Sequence, residues 1–337
     1  MNITPYFSII IPVYNGVRNN IDRCLNSIWM QNIDSHLYEI ICIDDCSSDN
    51  SREWLSAETQ KHDNLVVIEN EKNIRQGGSR NKGIKRAKGK YLLFIDQDDY
   101  YHPNCLQLIY NHLQKNDLDI LIVSNTWELE GKPSDKIQGI RPNTEILSGT
   151  RFLEENGPVF VPWKFIFKKD IVINNNLYLR ENVKLGEDID WTFKMLFKAQ
   201  KVQYQPIILV HYIRGTSNTS NETNRLQILL SCISIYELIS TNQCSQKVRN
   251  IASNAICYFA KSTLINMLFF NGLQEKQRML HLFKKQTGLK FSPFINAILK
   301  HIKLYAFLSD ITAIILKFIM PLWRKFQMKF IWPKIMY

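Results

Sequence analysis

The chain has 337 residues, 45% of them hydrophobic and 22% charged, a composition typical of a folded protein with one large domain or two. Its formal charge of +11 lies entirely beyond residue 275, where 12 basic residues accompany one acid, and the 30 basic and 30 acidic residues before it cancel. This distribution argues against a nucleic-acid-binding body and indicates a basic tail that meets an anionic surface. The seven cysteines are scattered and contain no C-x-x-C pair, which indicates reduced thiols in a cytoplasmic protein without a zinc site.

Short apolar runs alternate with segments of helical periodicity in the first part of the chain. Strands are predicted at residues 7–12, 38–43, 65–68, 91–95, 118–123 and from 208 onward. This alternation predicts an α/β fold with a parallel sheet, in which ligands bind at the carboxyl ends of the strands. The polar segment 127–147 is predicted to be a hairpin or loop over that site, and residues from 225 onward are predicted to be helical.

Carboxylates directly follow two of the predicted strands. Asp44 and Asp45 follow the second strand, and Asp96, Asp98 and Asp99 follow the fourth. A single aspartate would serve as a turn residue or helix cap, the role expected of Asp99, but three packed together repel one another and need a cation or basic groups. Carboxylate oxygens suit Mg²⁺ or Mn²⁺, which bind few protein carboxylates and leave positions for substrate phosphates. The strand end therefore predicts a site for a metal ion and a diphosphate.

The glycine pair Gly77-Gly78 precedes a predicted helix and has two interpretations. It is either a flexible loop or a place where the backbone approaches a phosphate, with Arg80 as the charge partner. Neither G-x-x-x-x-G-K-[ST] nor G-x-G-x-x-G occurs with it, which disfavours a P-loop ATPase and a nicotinamide-dependent dehydrogenase.

Four segments taken together resemble the family 2 glycosyltransferases of bacterial surface-polysaccharide synthesis. They are Phe7-Ser-Ile-Ile-Ile-Pro-Val-Tyr-Asn15, Ile43-Asp-Asp-Cys-Ser-Ser-Asp49, Gly78-Ser-Arg-Asn-Lys-Gly83 and Phe94-Ile-Asp-Gln-Asp-Asp99. The resemblance implies the GT-A fold, an α/β architecture with a Rossmann-like, mostly parallel sheet flanked by helices and a C-terminal helical extension. It also implies a catalytic domain over residues 1–220 and a helical region over 221–337 that ends in the basic tail.

The resemblance implies donor-binding roles for a set of residues at the strand ends and in later segments. These nucleotide-sugar-binding residues are Pro12, Tyr14, Asp45, Arg80, Asn81, Asp96, Arg214 and Ser217. Asp98 would bind Mn²⁺ or Mg²⁺ directly. His211 stands where many GT-A enzymes carry a histidine near the metal, although a lone histidine on a strand is more often structural. Gln97 occupies a position where the family usually has Ser or Ala.

The segment Gly186-Glu187-Asp188 places two acids at the start of a predicted helix. The helix dipole alone would stabilise acids there, but the resemblance implies that Asp188 is the general base for an acceptor hydroxyl. Glu187 and Lys164 would lie on the acceptor side, and Asp190 is a weaker candidate for the base. Lys164 directly follows a tryptophan, whereas the family usually has an asparagine between the two.

These features predict an inverting, metal-dependent glycosyltransferase with a nucleoside-diphosphate sugar as donor, above all a UDP-sugar. The acceptor would be a glycan, carried on a lipid, at the cytoplasmic face of the plasma membrane, with no nucleic-acid partner. A nucleotidyltransferase and a membrane-associated scaffold with an inactive transferase domain are the alternatives. The apolar run 304–323 contains Asp310 and Lys317, which favours a tail that lies peripherally on the membrane over one that spans it; a helical subdomain packed on the body is the other alternative.

Overall fold

The computed structural model describes residues 4–129, 132–134, 137–138, 145–214 and 227–267. The chain divides into two compact units, residues 1–217 and 218–337. The predicted site residue Ser217 and the apolar run 304–323 lie outside the described residues, as does part of the predicted hairpin or loop at 127–147.

The first unit is a mixed α/β domain built on one nine-stranded sheet. Its strands are β1 (Phe7–Val13), β2 (Tyr38–Asp44), β3 (Leu65–Glu69), β4 (Tyr91–Phe94), β5 (Tyr100–Tyr101), β6 (Ile120–Leu129), β7 (Lys132–Pro133), β8 (Phe165–Lys168) and β9 (Val202–Arg214). They follow the order β3-β2-β1-β4-β8-β6-β9-β5, and β7 pairs with β6. The helices are α1 (Ile21–Trp29), α2 (Ser51–Thr59), α3 (Arg75–Arg86), α4 (Cys105–Lys115), α5 (Gly149–Asn156), α6 (Lys169–Asn175) and α7 (Glu187–Lys198).

The four strands from β3 to β4 are parallel, as the sequence predicts. Every residue of β1 and β2 is buried, which explains why these strands are mostly apolar and do not alternate between apolar and polar residues. Two buried polar residues within them satisfy each other, since Ser8 donates a hydrogen bond to Glu39 at 2.6 Å. Val13 pairs with Asp44, and Asp44 pairs with Glu69, so the carboxyl ends of these strands lie side by side. The sheet therefore gathers the strand-end carboxylates at one edge.

The other half of the sheet contains antiparallel pairs that the sequence did not reveal. Strand β8 is antiparallel to both β4 and β6, and β5 is antiparallel to β9. Strand β8 has only four residues, too few for an alternating pattern to stand out from the segment around it.

Helix α7 is fixed on the sheet by one large buried side chain. The ring of Trp191 lies against Phe94, Phe165 and Phe167, with centroid separations of 5.5, 6.4 and 5.2 Å, and its indole N–H donates to the carbonyl of Leu177 at 3.0 Å. Removing a buried tryptophan typically costs about 3–5 kcal/mol. The first turn of α7, which carries the predicted base, therefore has a well-supported position.

The two glycines predicted to form a loop lie inside the first turn of α3, which begins at Arg75. A Cβ atom on Gly77 would collide with the carbonyl oxygen of Arg180 and touch the side chain of Glu187. The close approach that this glycine permits is thus to the protein's own backbone. Of the two interpretations of the glycine pair, the flexible loop is wrong because the helix starts earlier than its apolar residues indicate, and the approach to a phosphate remains a prediction.

The second unit contains α8 (Ile228–Thr241) and α9 (Gln246–Met267), which pack against each other. Arg249 donates hydrogen bonds to the carbonyls of Ile239 and Asn242, so a cation satisfies the C-terminal carbonyl groups of α8. None of the helices within the described ranges combines the length and the apolar character needed to cross a membrane.

Candidate active site at the carboxyl ends of the strands

The Asp96-Gln97-Asp98 turn follows β4 and forms the centre of the site. Asp96 and Asp98 are partly exposed, whereas Asp99 is buried and accepts a hydrogen bond from the backbone N–H of Ile213 at 2.8 Å. Asp99 therefore fastens β9 to the turn. It does not cap the next helix, because α4 begins only at Cys105. Burial, followed by the negative charges of Asp96 and Asp98, holds the pKa of Asp99 well above its usual range.

Arg80 connects the aspartate turn with the start of α7. Its side chain is only 3% exposed, and one guanidinium nitrogen lies 2.7 Å from Oδ1 of Asp96 while the other lies 3.7 Å from Oε1 of Glu187. The guanidinium also sits 5.4 Å from the centroid of the Phe94 ring. Two acidic motifs that are distant in sequence thus share one buried cation.

The first turn of α7 carries the predicted base. Gly186 has a positive φ of 91°, which glycine adopts without strain, and the helix begins at Glu187 as predicted. Asp188 is partly buried, and desolvation, with the charge of Glu187 next, raises the pKa of its carboxyl to about 8 against the opposing effect of Arg80. A carboxyl with a pKa near neutrality is suited to proton transfer. Asp190, the weaker candidate, is ion-paired with Arg180 and Lys194 at 3.0 Å each.

Asn81 is buried and fully engaged with protein groups. Its Oδ1 accepts from the N–H of Leu179 at 2.9 Å, and its Nδ2 donates to the carbonyl of Leu179 at 2.8 Å and to Glu181 at 3.0 Å. In this arrangement no donor of the amide group remains for a diphosphate. The side chain holds the segment that leads into α7, and its contact with a diphosphate remains a prediction.

Asp45 lies at the end of β2 and is 4% exposed. Its Oδ1 accepts from the side chain of Asn70 and from the N–H of Ile74, and its Oδ2 accepts from the N–H of Arg75, each at 2.8 Å. These bonds order the backbone at the start of α3. Arg75, the first residue of that helix, has a positive φ of 70°. Contact with a nucleotide remains a prediction for this carboxylate, which already has three protein donors.

The donor-side residues of β1 lie beside the aspartate turn. Pro12 is buried within the strand, opposite Ile43, whereas Tyr14 just beyond the strand is 46% exposed. The side chain of Gln97 forms two hydrogen bonds with the backbone of Tyr14, to its N–H at 2.9 Å and its carbonyl at 2.8 Å. Sequence reasoning missed this link, because no spacing pattern marks a side chain that binds the backbone of a distant turn.

His211 forms hydrogen bonds through both ring nitrogens. Nδ1 lies 2.6 Å from the hydroxyl of Thr126, Nε2 lies 2.9 Å from Nδ1 of His102, and the ring stacks on Tyr100. Burial, followed by the neighbouring His102, lowers the pKa of His211. In this arrangement both ring nitrogens have protein partners, as a structural histidine would, and metal ligation by His211 remains a prediction.

Lys164 is buried at the end of a short 3-10 helix, Pro162–Lys164, and is not the surface residue that its charge would suggest. Desolvation lowers the pKa of its amine to about 8, and Nζ donates to the carbonyl of Gln138 at 3.4 Å. Arg214 ends β9, paired with Leu129 of β6. An acceptor-side role for Lys164 and a donor-side role for Arg214 remain predictions.

Comparison with known proteins gives the family. Residues 8–174 match the family model described as glycosyl transferase family 2. The chain carries a family 2 glycosyltransferase domain. A poly(ribitol-phosphate) beta-glucosyltransferase of Bacillus spizizenii is 34% identical over 199 residues, which cover 58% of this chain and 30% of the relative. The poly(ribitol-phosphate) beta-N-acetylglucosaminyltransferase TarP of Staphylococcus aureus is 27% identical over 69% of this chain and 71% of its own.

The fold of this glycosyltransferase domain also occurs in solved structures. The structure of S. aureus TarS residues 1–349 in complex with UDP-GlcNAc superposes with a TM-score of 0.69 at 19% identity, over 90% of this chain and 88% of that one. The mannosyltransferase PcManGT from Pyrobaculum calidifontis, in complex with GDP-Man and Mn²⁺, gives a TM-score of 0.53 at 12% identity. At this identity the likeness concerns the fold alone, and it confirms the predicted GT-A architecture.

The glycosyltransferase domain has carboxylates that fit a divalent cation. Asp96 and Asp98 present carboxylate oxygens on one turn and both are partly exposed, so a cation could reach this turn from the solvent. Within the described ranges, no three His, Cys, Asp or Glu side chains form a complete metal-binding group. Hard cations such as Mg²⁺ need only one or two protein carboxylates when substrate phosphates supply further oxygens.

Proposed function

We propose that this chain is an inverting glycosyltransferase that moves a sugar from a UDP-sugar to a hydroxyl group of a cell-surface polymer. The observation that carries the proposal is the contact of Arg80 with both Asp96 and Glu187, because it places a donor-type carboxylate turn beside a candidate base. The family and the UDP-GlcNAc bound to TarS support a nucleotide-sugar donor.

In the proposed reaction, Asp188 accepts the proton of the acceptor hydroxyl while that oxygen forms a bond to the anomeric carbon. The bond between the anomeric carbon and the diphosphate oxygen breaks, and the diphosphate leaves with the electron pair. Asp98, with Asp96 beside it, would hold Mn²⁺ or Mg²⁺, which when bound supplies positive charge that stabilises the leaving group. Arg80 would keep Asp96 and Glu187 in place during the reaction, through the ion pairs that it forms with both.

The acceptor is proposed to be a glycan or polyol-phosphate chain carried on a membrane lipid. The relatives named as poly(ribitol-phosphate) glycosyltransferases support a polymer acceptor. The excess of 11 positive charges beyond residue 275 supports attraction to an anionic surface.

Peripheral binding at the inner face of the plasma membrane predicts that alkaline carbonate releases the protein from membranes. Protein that remains with the membranes until detergent is added would favour a spanning segment.

The donor is tested first by thermal unfolding with UDP-GlcNAc, UDP-glucose, UDP-galactose and GDP-mannose in the presence of Mn²⁺, since a ligand of the native state raises its apparent stability. The sugar-nucleotide that stabilises the chain is then used to measure UDP or GDP release. Asp98→Asn should abolish both release and Mn²⁺ dependence while the fold persists. Absence of any nucleotide-dependent stabilisation, or full release by Asp98→Asn in EDTA, would refute the proposed function.

A further inference from the structure

The turn that follows β1 is held by side chains from three parts of the chain. Gln97 binds the N–H and the carbonyl of Tyr14, as described above. Asn15, which has a positive φ of 52°, receives hydrogen bonds from Ser48 and donates its own N–H to Ser47. Asn19 donates to the carbonyl of Asn15 at 2.8 Å. The backbone of this exposed turn is therefore fixed although the strand has already ended.

The Tyr14 side chain does not explain this fixation by its own packing, because almost half of it is exposed. An aromatic ring that is open to solvent, on a rigid backbone at a ligand-binding edge of a sheet, is suited to stack on a flat ligand group. Gln97 is also the residue between the two carboxylates that would hold the metal ion. Its two hydrogen bonds therefore fix the Tyr14 backbone, from which the ring projects, relative to Asp96 and Asp98.

We propose that Gln97 is a positioning residue that sets Tyr14 against the nucleoside base of the donor, at a fixed distance from the diphosphate site. This inference rests on the proposed function, since it presupposes a nucleotide donor. Serine or alanine at this position would be too short to form both bonds. Gln97 would accordingly give this chain a more pre-organised base site, and pre-organisation increases affinity by reducing the ordering cost of binding.

The test separates the base from the diphosphate by measuring the binding of UDP and of inorganic pyrophosphate, each with Mn²⁺, by calorimetry. Gln97→Met keeps the length of the side chain and removes both hydrogen bonds. It should weaken UDP binding about five- to tenfold, as expected for one or two lost hydrogen bonds, and leave pyrophosphate binding unchanged. Gln107→Met is the matched control, because the Gln107 side chain donates to Asn111 one turn further along α4, and it should change neither affinity.

A double-mutant cycle with Tyr14→Ala tests whether Gln97 acts through Tyr14. In the Tyr14→Ala background, Gln97→Met should have no further effect on UDP binding. Turnover at saturating donor should change less than twofold in Gln97→Met, so that the loss appears in KM and not in kcat. Gln97→Ser is the second variant and should reproduce both results.

Three outcomes would overturn the inference. They are equal weakening of UDP and pyrophosphate, additive effects of the Gln97 and Tyr14 substitutions, and unchanged UDP binding by both Gln97 variants. In each of these the wild-type protein still binds UDP, so the proposed function stands. A wild-type chain that binds pyrophosphate and no nucleotide would instead refute the proposed function itself.

Discussion

Replacing Arg80 with methionine tests whether one cation compensates the charges of the candidate site. Methionine has a similar length and is neutral, so Arg80→Met leaves Asp96 and Glu187 without the guanidinium that lies 2.7 and 3.7 Å from them. Removing one partner of a buried ion pair typically costs about 3–5 kcal/mol, because the other charge stays buried and uncompensated. Asp96 is 22% exposed, which favours the lower end of that range.

A loss of about 3 kcal/mol in the free energy of unfolding corresponds to a decrease of about 6–12 °C in Tm for a domain of this size. The loss should depend on pH. Burial raises the pKa of Glu187 and Arg80 opposes that shift, so in Arg80→Met the carboxyl binds its proton at higher pH. The destabilisation arises from the ionised carboxylate. It should therefore be larger at pH 8 than at pH 5, because a larger fraction of Glu187 carries a proton at the lower pH.

Differential scanning calorimetry or urea unfolding at pH 5 and pH 8 measures this effect. Arg151→Met is the matched control, because Arg151 is paired with Glu155 on α5 and its side chain is 65% exposed; its removal should leave Tm nearly unchanged. Added Mn²⁺ should restore more stability in Arg80→Met than in the wild-type protein, since a second cation then compensates the same carboxylates. Equal stability of wild type and Arg80→Met at pH 8, or a loss that is the same at both pH values, would refute the reasoning.

Two further predictions concern the base and its supporting segment. Because Asp188 must lose its proton to act as a base, kcat/KM in a UDP-release assay should rise with pH around a midpoint near 8, and Asp188→Asn should reduce kcat by about 10²-fold or more with donor affinity unchanged. A flat profile from pH 6.5 to 9 would contradict the assignment. Asn81→Asp replaces the amide that donates to Leu179 and Glu181 by an acceptor, so urea unfolding should show a loss of about 2–3 kcal/mol, and an unchanged midpoint would contradict it.

The sequence predicted the features that depend on local pattern. Short, mostly apolar runs identified the parallel strands, and the acids that follow two of them marked the edge of the sheet where the candidate site lies. The glycine before Glu187 and the apolar residues after it predicted the start of α7. These signals are carried by neighbouring residues, so they need no knowledge of tertiary contacts.

The partners of individual polar side chains could not be predicted in the same way. Arg80 and Asn81 were both expected beside the diphosphate, but which groups they meet depends on how α3 packs, and that is set by contacts with residues far along the chain. Asp99 was expected to cap a helix, and the turn instead brings it to the backbone of Ile213. Both cases are long-range hydrogen bonds, which leave no periodic trace in the sequence.

Helix α3 emerges as the element that relates the donor turn to the base. Successive residues of an α-helix point about 100° apart, so the adjacent side chains of Arg80 and Asn81 reach different partners. Arg80 meets the aspartate turn and Glu187, whereas Asn81 holds Leu179 and Glu181 in the segment that precedes α7. Gly77, one turn earlier, lets the carbonyl of Arg180 approach the helix. A shift of α3 would therefore move Asp96 and the first turn of α7 together, and substitutions on this helix should alter donor affinity and turnover jointly.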